Sequence, residues 1–153
     1  MQSELKAKTY QESFQKLDAL LEGESDEIVK MASISSVLSQ AFEYFYWTGF
    51  YRLLDGELVV GPYQGTPACL RISIGKGVCG TVAETGVTEI VDDVHAFPGH
   101  IACDSASESE IVLPVRDSKS DELLAVIDID STSKASFDEV DAKYLEMIIS
   151  HFF

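Results

Sequence analysis

The sequence predicts an α+β domain with a mostly antiparallel central sheet flanked by N- and C-terminal helices, and two observations carry that prediction. Apolar residues recur at helical spacing through the first forty or so positions and again near the C-terminus. Between these ends lie short aromatic and β-branched runs, joined in two places by tight turns that make hairpins. At 153 residues the chain has the size of one ordinary domain with a real core. No repeat, low-complexity segment or linker divides it, so residues 1–153 read as a single domain.

The elements follow in order. Thr9 to Glu12 has the spacing of a capping box and precedes the stripe Phe14, Leu17, Leu20 and Leu21. Gly23 ends that helix, and Ser25, Asp26 and Glu27 open a second. Its expected buried face is Ile28, Met31, Ala32, Ile34, Ser35 and Leu38. From Tyr44 the run YFYWTGFYRLL reads as strand, and Asp55-Gly56 turns it into ELVVGPYQG. LRISI is a further strand, and GKGVCGTVAETG is a glycine-rich turn into a short helix that stops at Gly86. TEIVDD is another strand, then comes the long irregular stretch HAFPGHIACDSASESE (95–110). EIVLPVRD and ELLAVIDID form an antiparallel pair around Ser118–Asp121. Ser136 to Glu139 is a second capping box, opening a helix through Tyr144, Leu145, Ile148 and Ile149. The closing His151-Phe-Phe is apolar enough to suit a partner surface or a truncated end.

Composition narrows the function. The 46% hydrophobic and 24% charged fractions suit a soluble globular protein, and no apolar run approaches the ~20 residues of a membrane span. The N-terminus is polar and lacks a signal peptide's apolar centre, so a cytoplasmic location is expected. A net charge of −15 argues against nucleic acid as a partner and suits a cationic small ligand. Three cysteines, an odd number, give reactive or metal-binding roles more weight than structural staples in a reducing compartment.

Two features carry chemistry. In ELLAVIDID, residues two apart share a strand face, so Asp128 and Asp130 point together. Paired carboxylates ending an apolar strand need a cation, a metal or a shared proton, unless the strand simply ends in solvent. The cysteines are Cys69, Cys79 and Cys103, and no close CxxC pair occurs among them. A zinc knuckle and a thioredoxin-type dithiol therefore lose support. A metal on Cys103, His100 and His95, completed by Asp128 or Glu110, would draw on ligands scattered over one irregular loop, which is poor preorganisation. A thiol nucleophile at Cys103 explains more, with Cys69 just before a strand where a second thiol can approach. Gly75-Lys-Gly77-Val-Cys79-Gly80 lacks the spacing of a phosphate-binding fingerprint, so its glycines read as the means of a tight strand-to-helix turn.

The stretches VVGPYQGTPACLRISIGKGVCGT, HIACDSASESEIVLPV and VIDIDS resemble the free methionine-(R)-sulfoxide reductases, stand-alone GAF-domain enzymes. The resemblance runs from about Trp47 to the final helix and takes in all three cysteines in order. It implies a single GAF domain whose Cys103 attacks the sulfoxide sulfur, leaving methionine and a sulfenic acid. Cys69 would be the principal resolver, Cys79 an auxiliary thiol, and thioredoxin the external reductant, with no bound cofactor or metal. It further implies Glu110, Asp128 and Asp130 as substrate-binding carboxylates, and Trp47 and Tyr51 as an aromatic wall. A regular strand would put those two rings on one side, although ordinary core packing would use them equally well. A free amino acid brings an ammonium that pairs with carboxylates, and a peptide-bound methionine does not. The family's habit and the terminal helices favour a homodimer. The alternatives are a GAF-type sensor that holds a small ligand without turnover, and a metal-binding regulator using Cys103 and its histidines. One tension stands: carboxylates near a thiol raise its pKa and weaken it as a nucleophile. Protonation of the cluster, a substrate ammonium, or help from His100 or a backbone N–H would each relieve it.

Overall fold

The computed structural model describes residues 1–101 and 103–153; Ala102, within the 95–110 stretch, lies outside them. In chain order the elements are α1 (Ser3–Leu20), α2 (Glu27–Ala41), β1 (Trp47–Leu54), β2 (Glu57–Gln64), β3 (Arg71–Ser73) and α3 (Gly77–Thr85). They continue with β4 (Glu89–Val91), β5 (Ser109–Arg116), β6 (Leu123–Ser131) and α4 (Glu139–Phe152). One sheet runs β3-β2-β1-β6-β5-β4, and every neighbouring pair is antiparallel. Among the described residues, no helix is long and apolar enough to cross a membrane.

Period-two alternation splits β1, β5 and β6 between two cores. Phe50, Ile111, Leu113, Ile127 and Ile129 face the layer made by α1, α2 and α4. Tyr51, Val112 and Val126 face the opposite way, onto Val78, Cys79 and Val82 of α3. The second core is smaller and is covered by loops as well as by a helix, which leaves room for a site.

Tertiary packing moved several local features from where the sequence put them. Helix α1 begins at Ser3 with Gln2 as an N-cap that makes no side-chain bond. Thr9 is therefore mid-helix, its Oγ1 donating to Leu5 O at 2.8 Å. What extends the helix upstream is burial of Lys6 and Tyr10. Helix α2 is capped by Asp26, which accepts from the Ile28 and Val29 amides, and it buries Val37 while leaving Ile28 and Ala32 exposed. The α4 capping box pairs Asp138 with Asp141, two residues later than Ser136 with Glu139. Strand β1 starts at Trp47, because Tyr44 and Phe45 turn into the helical core, where Phe42 and Phe45 stack at 4.5 Å. The C-terminal Phe152 and Phe153 are buried in the same core, Phe153 lying 5.9 Å from the Phe50 ring, so they pack inward.

A buried ionic cluster locks α1 to α4. Lys6 Nζ lies 2.6 Å from Asp141 Oδ2 and also donates to Ser136 O at 3.1 Å. The hydroxyls of Tyr10 and Tyr44 each donate to Asp141 Oδ1 at 2.7 Å. Lys6 is 2% exposed and Asp141 is fully buried, so removing either strands the other's charge in a poorly solvated place. Asp141→Ala should lower the unfolding free energy by about 3–5 kcal/mol, the usual loss on breaking a buried pair. Urea denaturation measures it, and an unchanged midpoint would show that the cluster adds nothing to stability.

Candidate active site

Sheet register assembles the carboxylates. Asp130 on β6 lies opposite Glu110 on β5 and Trp47 on β1, while Asp128 lies opposite Val112 and Gly49. Asp128, Asp130 and Glu110 therefore share the sheet face that carries Trp47 and Tyr51. Glu110 belongs to a strand and not to the preceding loop, which is why it is held firmly. The Trp47 ring stacks on Tyr51 at 5.7 Å and on Tyr63 at 5.0 Å, and its Nε1 donates to Thr66 O at 3.0 Å. Gly49 makes this stacking possible: any Cβ there would run into Trp47 and Tyr63. Trp47, Tyr51 and Tyr63 thus form one stacked aromatic group on this face.

A cavity of about 40 Å³ opens on this face. Its lining includes Cys79, Cys103, Glu110, Asp128, Asp130, Trp47 and Tyr51. Cys69 stands just outside the lining, joined to Cys103 by a disulfide that spans 34 residues with a Cα–Cα separation of 5.4 Å. Cys79 is a free, buried thiol in the first turn of α3. That turn is tight because Gly75 and Gly77 adopt positive φ (83° and 63°) and a Cβ on Gly80 would meet Ser73 O at 2.5 Å. The glycines thus bring the helix down against the sheet, as the sequence suggested.

Burial dominates the electrostatics. Glu110 is pushed well above the usual carboxylate range, first by burial and then by the charges of Asp128 and Asp130. Asp130 is also raised, by burial and by Asp128, although part of its surface remains open to the cavity. Asp128 is raised less, to about 6, because hydrogen bonding with Glu110 and Cys79 offsets burial. The arrangement thus holds protons more readily on Glu110 and Asp130 than on Asp128. Asp128 Oδ1 is buried without a hydrogen-bond partner. An unmatched buried acceptor is destabilising by about 1–3 kcal/mol, so a cation or donor entering the cavity gains that much.

The same burial, followed by the charges of Asp128, Glu110 and Asp130, raises the Cys79 thiol, whose Sγ lies 4.0 Å from Glu110 Oε1. In this state it is protonated, and joining a disulfide exchange would first require its acidic neighbours to be neutralised. His100 lines the cavity, and burial together with the nearby His95 lowers its pKa, so it sits there as a neutral ring. Among the described residues, the groups close enough to share an ion are Cys79–Glu110–Asp128 and Asp93–His95–Glu108. Neither contains Cys103 or His100, so the structure does not gather the metal-ligand set considered from sequence.

Three neighbours of the site, Asp104, Thr66 and Tyr46, escaped sequence reading. Asp104 Oδ2 accepts from Thr66 Oγ1 at 2.7 Å and from Tyr46 OH at 2.9 Å, and its Oδ1 accepts from the Ala106 amide at 2.8 Å. The last bond is an Asx-type turn that Asp104-Ser-Ala could have suggested. The bonds to Tyr46 and Thr66 exist only through the fold.

Known proteins share this sequence and fold. The GAF domain family matches residues 32–152. The protein YtsP of Bacillus subtilis (strain 168) is 51% identical over 147 residues, covering 94% of this chain and 88% of its own. The free methionine-R-sulfoxide reductase of Escherichia coli (strain K12) is 40% identical over 145 residues, covering 95% and 87%. The crystal structure of free methionine-R-sulfoxide reductase from Neisseria meningitidis, in complex with its substrate, superposes with a TM-score of 0.89 at 41% identity. That superposition covers 97% of this chain and 90% of the other. With the same fold over nearly its whole length and close relatives of that name, the chain belongs to the free methionine-R-sulfoxide reductase family of GAF domains.

Proposed function

We propose that the chain reduces free L-methionine-(R)-sulfoxide to methionine, with electrons from its own thiols that thioredoxin then replaces. The observation that carries this reading is the juxtaposition, in one cavity, of a disulfide-forming cysteine, Cys103, with an unpartnered buried carboxylate, Asp128. Asp128 takes the substrate ammonium, and Trp47 and Tyr51 wall the thioether end. With the ammonium bound, the cluster's negative charge is neutralised at the moment a thiolate is required, which answers the tension between acids and thiol.

The steps balance. The Cys103 thiolate attacks the sulfoxide sulfur while a protonated carboxyl donates to the oxygen. Glu110 fits that donor role, because burial and the charges of Asp128 and Asp130 favour its protonated form. Oxygen passes to Cys103 as a sulfenic acid, and methionine leaves with the sulfur's two-electron reduction complete. Cys69 then displaces hydroxide, which leaves as water, and the Cys69–Cys103 disulfide forms. Two thiols of thioredoxin reduce that disulfide. No resident cofactor or metal enters this sequence of steps. We further propose cytoplasmic residence, where thioredoxin keeps thiols reduced, and a homodimer. Exposed Leu20, Ile28 and Val29 on α1 and α2 support the dimer.

Incubating reduced protein with each sulfoxide epimer, then counting free thiols, tests the reading. The free R epimer should remove about two thiols per chain, since one disulfide consumes two. No loss with either epimer would overturn the enzyme and leave a GAF module that binds without turnover.

A further inference from the structure

We propose that Asp104 is a positioning residue for disulfide closure: its carboxylate braces the Cys103 loop against the Cys69 segment and so sets how readily the two sulfurs meet. The proposal rests on Cys69 and Cys103 being the redox pair.

The placement is specific. Asp104 directly follows Cys103, and Thr66 precedes Cys69 by three residues. The Thr66 hydroxyl donates to Asp104 Oδ2 at 2.7 Å, so a single carboxylate joins two cysteine segments that lie 34 residues apart in sequence. Tyr46 OH, just ahead of β1, donates to the same oxygen at 2.9 Å. Thr66 is itself tied to the aromatic wall, because its carbonyl accepts from Trp47 Nε1 at 3.0 Å.

Apart from the disulfide and the packing of Ile101 against Gly77, the described residues of the loop are held mainly by local hydrogen bonds. The loop's neck is closed by Val94 N donating to Glu108 O at 3.0 Å, and Glu108 N donates to Ser131 O at 2.8 Å. Among the described residues, the backbone hydrogen bonds of this stretch are local, from Phe97 N to Val94 O, His100 N to Phe97 O, Cys103 N to Ile101 O and Ser107 N to Asp104 O. Among the described residues, the side-chain hydrogen bonds that tie this stretch to the segments flanking β1 and β2 run through the Asp104 carboxylate, beside the disulfide itself. Hydrogen bonds from Thr66, the Ala106 amide and Tyr46 hold its pKa below the usual carboxylate value, so the acceptor is ionised and the bonds are charge-assisted.

Coupling of this kind is reciprocal: whatever the disulfide contributes to the brace, the brace contributes to the disulfide. Removing the brace should therefore lower the effective concentration of Cys69 at Cys103. The chemistry to be read is exchange with glutathione, in which the protein dithiol and one oxidised glutathione give the protein disulfide and two reduced glutathiones.

The experiment equilibrates the protein against glutathione buffers of graded ratio, traps thiols by acid quench and alkylation, and quantifies both forms by mass spectrometry. Asp104→Asn and Thr66→Val should each lower the equilibrium constant for disulfide formation by about tenfold, the size of one lost charge-assisted hydrogen bond. For this two-electron couple that is about 30 mV. Thr66→Ser, which keeps the hydroxyl, should return the constant to within about twofold of the parent on the same reasoning. Tyr46→Phe removes the second donor and provides an independent reading at a different place in the fold. Unchanged constants in Asp104→Asn, Thr66→Val and Tyr46→Phe would overturn the proposal. So would a Thr66→Ser protein as impaired as Thr66→Val, because the threonine methyl and not the hydroxyl would then be at work. No sulfoxide enters the measurement, so it remains readable if the chain does not turn that substrate over. Thiol loss with the R epimer, conversely, does not depend on the brace.

Discussion

Cys103→Ser abolishes sulfoxide reduction, whereas Cys69→Ser completes about one turnover per chain and then stalls. A serine hydroxyl is far less acidic than a thiol, offers little alkoxide at neutral pH, and cannot hold the oxygen as a sulfenic acid. No other cysteine can take over the first step without rearrangement. Cys69 lies outside the cavity lining, and Cys79 is a buried thiol whose pKa is raised by its surroundings. The Cys69→Ser protein keeps the attacking sulfur but loses the partner that the structure shows bonded to it. Its sulfenic acid then has no thiol at hand for condensation. A rapid-quench assay of methionine formation distinguishes the two variants, as does labelling of the sulfenic acid. If Cys69→Ser cycled normally with thioredoxin, Cys79 would be the resolver. That outcome would also require the Cys79 thiol to leave the hold of Glu110 and Asp128 during turnover.

Much of this site was legible before the fold, and the part that was not has a physical explanation. Asp128 and Asp130 share a face because strand side chains alternate, and Trp47 and Tyr51 do so for the same reason. That inference needs no tertiary knowledge, and the register bears it out. The position of Glu110 beside Asp130 depends on the pairing of β5 with β6, which the short turn between them already suggested. Helix ends were less legible. Thr9 and Ser136 both satisfied a capping pattern, yet burial of Lys6, Tyr10 and Asp141 fixed the true boundaries. Local caps contribute about 1 kcal/mol, and a buried ionic cluster outweighs them. Least legible was Asp104, whose partners Tyr46 and Thr66 lie 58 and 38 residues away, where no periodicity reaches.

Asp128→Asn should weaken substrate binding and, in the free protein, raise stability at neutral and alkaline pH. The two effects share one cause. Burial raises the Asp128 carboxyl to about 6, above its ordinary value of 3.8. The folded state therefore binds this proton more tightly than the unfolded chain does. Stability from this group is complete below pH ~4, falls as pH rises through the folded value, and is fully lost above it. A shift of about two units corresponds to about 3 kcal/mol at pH 7–8, because each unit is worth about 1.4 kcal/mol. An amide carries no charge, so Asp128→Asn removes most of that penalty and its stability gain should vanish near pH 4. Binding moves the other way. Loss of the ionised partner of the substrate ammonium should reduce affinity by about 10- to 100-fold, the range for a charged hydrogen bond. Thermal unfolding from pH 4 to 8, with and without the R-sulfoxide, measures both. A variant whose stability gain is as large at pH 4 as at pH 8 would show that burial of this charge is not the cause. One that binds substrate as tightly as the parent would remove Asp128 from the ammonium site.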